Sequence, residues 1–222
     1  MRPPSRGCFF FGDMLMKYEF TGETKECFGV TLRRIRALVT IVGVVSAGDC
    51  GGWIESEENL SQVSDNAWVH DNALVSGNAR VYGNARVYGN ARVYGDARVY
   101  GDARVYGNAW VYGNALVYGD AWVYGNARVY GNAWVSGDAQ VYGNGSIFWA
   151  SKVGTENGTL TVFNNKYGAL TVTRGCFAGS VDEFIEKSRL VHDEKIHREY
   201  CLLIDVAKSR IECMSEATKE AV

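Results

Sequence analysis

Three side-chain groups in this chain could do chemistry. The first is histidine, the usual general base near neutral pH. There are three, His70, His192 and His197. His70 sits within a regular repeat, in a slot otherwise held by Tyr or Ser, and it is the one candidate for a catalytic base. The second group is the set of arginines Arg80, Arg86, Arg92, Arg98 and Arg104, interleaved with Tyr88, Tyr94, Tyr100 and Tyr106 and followed by Trp110, Trp122 and Trp134. Guanidinium beside an aromatic ring allows cation–π contact and the capture of anions or flat groups. The third is an acidic cluster, Glu55, Glu57 and Glu58, which lacks the partner motif that paired-carboxylate catalysis needs. The six cysteines at 8, 27, 50, 176, 201 and 213 form no C-x-x-C pair. Their scatter suits reduced thiols in a cytoplasmic protein and points to no metal site.

What must position these groups is a repeat with a six-residue rhythm. An aliphatic residue recurs without a slip from Val63 through Val69 and Val75 to Val141 and Ile147. A small residue follows four positions later, Ala67 to Ala139 and then Gly145, preceded by Asn or Asp and, in most units, Gly. A period of six divides by two and not by 3.6, so it excludes helix. Arg-Val-Tyr reads as a short strand with Val turned one way and its neighbours the other. Gly-Asn supplies the corner, because both tolerate positive φ. One unit buries almost nothing alone, so units must stack.

This pattern resembles the hexapeptide-repeat family of left-handed parallel β-helices. With Gly-Asn-Ala or Gly-Asp-Ala in almost every unit, it is similar to YdcK-type and phage-encoded hexapeptide proteins, and the stretch Gly51-Gly52-Trp53-Ile54-Glu55 also resembles such phage proteins. The resemblance implies a mainly β fold, a single-stranded left-handed coil of three units per turn and about five triangular coils. It also implies a homo-oligomer, a trimer favoured. Many relatives are acyltransferases that bind acyl-CoA or acyl-carrier protein between subunits and use a histidine base. The loop such enzymes commonly insert between coils is missing here, where the units run on uninterrupted.

The domain organisation follows from where the rhythm starts and stops. Residues 1–15 read as upstream sequence or a disordered extension, since Met16-Lys-Tyr-Glu-Phe looks like a start. Residues 16–62 read as a β-rich N-terminal cap, with Trp53 and Ile54 covering the open core. Residues 63–149 are the β-helix, with Phe148 and Trp149 closing its far end. Residues 150–222 read as a β-hairpin (159–163 and 169–173) plus two helices. Ser180 and Glu183 form a capping box for the first, and the second runs from near Asp193 to about Glu216 with Ile196, Tyr200, Leu203, Ala207 and Ile211 on one face.

The net charge of −2 gives no global attraction to nucleic acid or membrane. No stretch has the roughly 18 apolar residues of a membrane span. With three units per turn, tyrosines stack in three columns and the arginines form a belt around all faces rather than one groove. That geometry argues against a nucleic-acid partner. The resulting expectation is a non-enzymatic, phage-type β-solenoid that binds a protein partner, or a small anionic ligand between subunits, through its aromatic and arginine outer faces. No cofactor is expected; acyl-CoA, with His70 as base, belongs to an alternative enzymatic reading. A single-stranded nucleic-acid binder is a third.

Overall fold

The computed structural model describes residues 16–62 and 65–211. The expectations for residues 1–15, for Val63, for Cys8 and Cys213 and for the helix end near Glu216 lie outside the described residues. Strands β1 (Tyr18–Cys27) and β2 (Val30–Ala37) form a hairpin, and β3 (Cys50–Ile54) follows. Thirteen two-residue rungs, β4 to β16, run from Trp68–Val69 to Gln140–Val141. Then come β17 (Ile147–Val153), β18 (Gly158–Asn164), β19 (Leu170–Arg174), β20 (Phe177–Ser180), α1 (Val181–Val191) and α2 (Glu194–Arg210).

The rungs build a three-walled β-solenoid. Val69 pairs in parallel with Val87, Val75 with Val93 and Val81 with Val99, so each rung meets the one 18 residues on. Every valine from Val69 to Val141 is essentially sealed from solvent, as is every alanine from Ala67 to Ala139. The strand couples to its neighbours almost entirely through main-chain bonds such as Trp68 N–H to Ala85 O at 3.0 Å. The corners explain the glycines. Gly101 has φ of 71°, and a Cβ there would lie 2.9 Å from the Gly119 nitrogen of the next coil. Only glycine combines that backbone with that approach. Asn and Asp at the corner form ladders on the outside, as where Asn66 Nδ2 donates to Asn84 Oδ1 and Asn84 Nδ2 to Asp102 Oδ1, both at 3.0 Å.

Pairing reaches further back than the six-residue rhythm. Ile54 pairs with Val75 and Leu60 with Val81, each 21 residues on. The axis of the first coil is filled by Ile54, Leu60 and Val69, all buried. Ile54 is therefore a wall residue, while Trp53 lies on the outside of the same rung under the Lys25 ammonium, 4.2 Å from its ring. The near end is closed instead by Tyr18, Ile35 and Trp68, all fully buried. Tyr18 and Trp68 meet edge-on at 6.3 Å, and the Tyr18 hydroxyl donates to Leu60 O at 3.0 Å. Trp68 thus departs from the outward slot its position in the repeat implies: the hairpin folds over it.

The far end differs from expectation too. The C-terminal unit has four antiparallel strands, β17-β18-β19-β20, not one hairpin. Phe163, fully buried, joins the solenoid core as its plug. Thr161 Oγ1 accepts from Trp134 N–H at 3.0 Å, and the Thr173 hydroxyl donates to Trp134 O at 2.8 Å. These bonds satisfy the open edge of β15. Phe148 packs into a second core with Tyr200, Ile204 and Ala207, and Trp149 only flanks the solenoid core. The capping box is present: Glu183 N–H donates to Ser180 Oγ at 3.3 Å and Ser180 N–H to Glu183 Oε2 at 2.8 Å. Among the described residues no helix is long and apolar enough to cross a membrane.

Candidate binding face

The three walls carry different side chains. The tyrosines stack as columns: Tyr82–Tyr100–Tyr118, Tyr88–Tyr106–Tyr124 and Tyr94–Tyr112–Tyr130, with ring centroids 4.7–5.0 Å apart and near-parallel planes. Burial raises the hydroxyl pKa of several, Tyr88, Tyr100 and Tyr106 among them. The columns sheathe the rod.

The wall extended by β1–β3 brings the most groups together. Its outer slots run Trp53, Leu74, Arg92, Trp110 and Arg128, each paired to the next. Trp110 is clasped between two guanidinium groups, with Arg92 Cζ 4.9 Å and Arg128 Cζ 5.0 Å from its ring centre. Phe28, at the hairpin tip with φ of 51°, hangs over this ladder with 80 % of its surface exposed. It meets Trp110 edge-on at 6.5 Å, and Arg92 lies 5.0 Å from its ring. Beneath it opens a hollow of about 350 Å³, floored by Leu32, Leu74 and Val93 and walled by Arg92, Tyr94 and Trp110. A second hollow of about 480 Å³ opens further along, between Arg128, Tyr112, Tyr130, Trp149 and Arg210. Lys25 lies near the first hollow; burial lowers its pKa, Cys27 opposes this, and Arg92 and Arg34 reinforce it.

The remaining candidates are divided between the other two walls. His70 shares a hollow of about 250 Å³ with Arg86, Tyr88, Arg104, Val44 and Asp71. Burial lowers its pKa, Asp71 opposes this, and Arg86 reinforces it. The ring is therefore neutral at pH 7 and touches Trp68 edge-on at 6.3 Å. Among the described residues neither of its nitrogens is hydrogen-bonded, so nothing orients it as a base. Tyr106 and Trp122 lie further along that wall, Trp122 under Arg104 Cζ at 4.9 Å. Arg80, Arg98, Tyr100 and Trp134 are on the third wall, where Arg80 pairs with Glu58 at 3.5 Å. Glu55 is engaged too: its Oε2 accepts from Gly77 N–H at 2.6 Å. Sequence reasoning passed over Phe28 and Arg210, placed Arg128 in an outer slot without choosing it for the site, and gave Trp149 only an end-closing role. Phe28 carries a faint signal, an aromatic directly before the Gly29 of a turn; the others are recruited only by the fold.

Comparison with known families bears on the rod. Residues 73–89, 79–95, 85–99, 97–113, 109–125 and 121–137 each match the family model described as YdcK Beta solenoid repeat. A comparison with curated proteins found no match. The periodic pairing and these matches agree: the central rod is a β-solenoid, and its residues 73–137 are similar to YdcK-type repeats.

Proposed function

We propose that this protein is a non-enzymatic binding solenoid that holds a segment of a partner protein along the wall bearing Phe28 and Trp110. The observation that carries the proposal is the state of Arg92 and Arg128. Among the described residues neither makes an ion pair; both lie against the rings of Trp110 and, for Arg92, Phe28. A guanidinium held against a ring with no ion pair keeps donors open for a carboxylate. The aliphatic floor of the neighbouring hollow suits an apolar side chain better than a phosphate chain. Arg92 and Arg128 are two coils apart, roughly 10 Å at strand spacing, which an extended segment spans in about three residues. The segment therefore carries an apolar or aromatic residue and carboxylates about three residues apart. At the β14 edge Arg128 N–H already donates to Asn144 Oδ1 at 3.1 Å, so side chains rather than an added strand make the contact there.

Selection from a displayed peptide library tests this. Enrichment of apolar-plus-acidic peptides is expected, with affinity that falls with salt, drops about tenfold or more in Trp110→Ala and is unchanged in Arg98→Gln on another wall. Peptides that bind Trp110→Ala equally well refute the assignment. Tight binding of an oligothymidylate probe, weakened by Arg92→Gln, would replace the protein partner with single-stranded nucleic acid.

The neutral, half-buried His70 beside Arg86 and Arg104 supports a second reading, an acyltransferase-like reaction with acyl-CoA. Its test is CoA release that disappears in His70→Ala. Self-association into a trimer is a separate proposal, read directly by a mass measurement in solution.

A further inference from the structure

The C-terminal unit holds a cation that is buried with a donor unused. Arg174 ends β19, and its side chain is 11 % exposed. Nη2 donates to Val153 O at 3.0 Å. Nη1 lies 3.9 Å from Glu156 Oε2, on a side chain that is 84 % exposed, too long for a bond and weak as a pair. Nε is buried and has no acceptor. The fold makes room for this guanidinium. A Cβ at Gly158 would fall 2.4 Å from Nη1, and one at Gly154 would fall 2.0 Å from the Tyr200 hydroxyl, so both positions exclude any other residue without a shift. A buried donor of a charged group left without an acceptor is costly, and in native proteins such a group calls for an explanation.

Beside Arg174 lies a hollow of about 170 Å³. Lys187, Ser188 and His192 of the first helix and its cap line it, with Phe177 and Phe184 as an apolar wall. The Lys187 ammonium stands 5.3 Å over the Phe177 ring and, among the described residues, pairs with no carboxylate. Glu156 is the one acidic side chain in the lining, against two fixed cations. The volume is below the roughly 300 Å³ at which cofactor and drug-sized pockets begin. Nucleotides and CoA are therefore too large, while a small oxyanion fits.

We propose that this pocket binds a small oxyanion, a phosphate or a small carboxylate, with Arg174 as the buried anchor, offering Nη1, whose nearest carboxylate is Glu156 at 3.9 Å, and with Lys187 as the outer cation. The site is independent of the wall carrying Trp110. The experiment follows the Arg174 Nε–H resonance by NMR, and the thermal midpoint, during titration of the whole chain with inorganic phosphate and, separately, with benzoate, at constant ionic strength against chloride. The expected result is a saturable shift of that resonance and a rise in midpoint with one of the two anions. Preference for phosphate assigns a tetrahedral anion; preference for benzoate assigns a carboxylate whose apolar body lies on Phe177 and Phe184. Arg174→Lys keeps the charge and removes the guanidinium fork, and weakens binding by about ten- to a hundredfold. Lys187→Gln lies at the surface, leaves folding intact and weakens binding severalfold, which keeps the test decisive if Arg174→Lys folds poorly. A resonance that moves no more with phosphate or benzoate than with chloride overturns the proposal. So does a shift that Lys187→Gln leaves unchanged in midpoint and amplitude.

Discussion

Replacing Trp110 by leucine, in parallel with the same change at Trp122, isolates the energy of the cation–aromatic ladder. Both indoles are half-buried in equivalent slots, so the loss of apolar contact is similar and largely cancels in the difference. What differs is the company. Trp110 has two guanidinium groups, at 4.9 and 5.0 Å, and edge contacts with Phe28 at 6.5 Å and Tyr94 at 6.3 Å. Trp122 has one guanidinium at 4.9 Å and one edge contact, with Tyr106 at 6.2 Å. The excess at Trp110 is one cation–π contact, about 0.5–1 kcal/mol, and one aromatic pair, about 0.5–1.5 kcal/mol. Phe28 is mostly exposed, so its pair belongs at the low end. Trp110→Leu should therefore cost about 1–2 kcal/mol more than Trp122→Leu. Urea unfolding followed by circular dichroism reads this, with equal m-values required for the comparison. A double-mutant cycle of Trp110→Leu with Arg92→Gln should show a coupling of about 0.5–1 kcal/mol. Equal losses at the two tryptophans, with no coupling to Arg92, would refute the clasp and remove the main support for this wall as the recognition surface.

Gly101→Ala should destabilise by more than Gly137→Ala. Both glycines have positive φ, 71° and 64°, which costs a substituted residue about 1–2 kcal/mol, but a Cβ at 101 also meets Gly119 whereas one at 137 meets nothing within 4 Å; thermal melts of the pair give the steric term as the difference. Stability should fall as pH rises above 10. Tyr88, Tyr94, Tyr100, Tyr106, Tyr112 and Tyr124 all have folded pKa values raised by burial, so the stability they contribute is complete below the unfolded value of 10.0 and is lost as pH climbs through the folded values. Phenolate absorbance that appears later in the folded than in the urea-unfolded chain checks it, and coincident curves reject it. His70 gives the opposite dependence at low pH. Its folded pKa is lowered by burial, so the folded state binds fewer protons, and stability present above 6.5 declines as pH drops below that value. The slope of midpoint against pH between about 6.5 and 5 should flatten in His70→Gln, and an unchanged slope would place the effect elsewhere.

How far the chain could be read depended on whether a feature repeats. Val69, Val87 and Val105 face the axis, Gly101 turns the corner and Tyr88 stacks on Tyr106 because each local unit sees the same neighbours above and below. The six-residue period determines which side chains face inward, the family resemblance adds the 18-residue coil that stacks the tyrosines, and the spacing of Ser180 and Glu183 located the helix cap through an equally local signal. The ends obey no period. Trp68 sits in an outward slot of the repeat yet is sealed beneath the β1–β2 hairpin, Phe163 rather than Phe148 plugs the far end, and β17 and β20 turn the anticipated hairpin into a four-stranded sheet. These outcomes depend on contacts between residues distant in the chain, such as Tyr18 with Trp68 and Thr161 with Trp134. The same holds for the candidate site. By the repeat alone Arg86, Arg92 and Arg98 are equivalent, one on each wall. The rhythm by itself thus determined stacked short strands with buried valines, and the family resemblance supplied the three walls on which the tyrosines stack. Only the tertiary structure decided which wall is distinct, because the repeat makes its walls alike and only the non-repeating hairpin and C-terminal unit, packed against its two ends, break that symmetry.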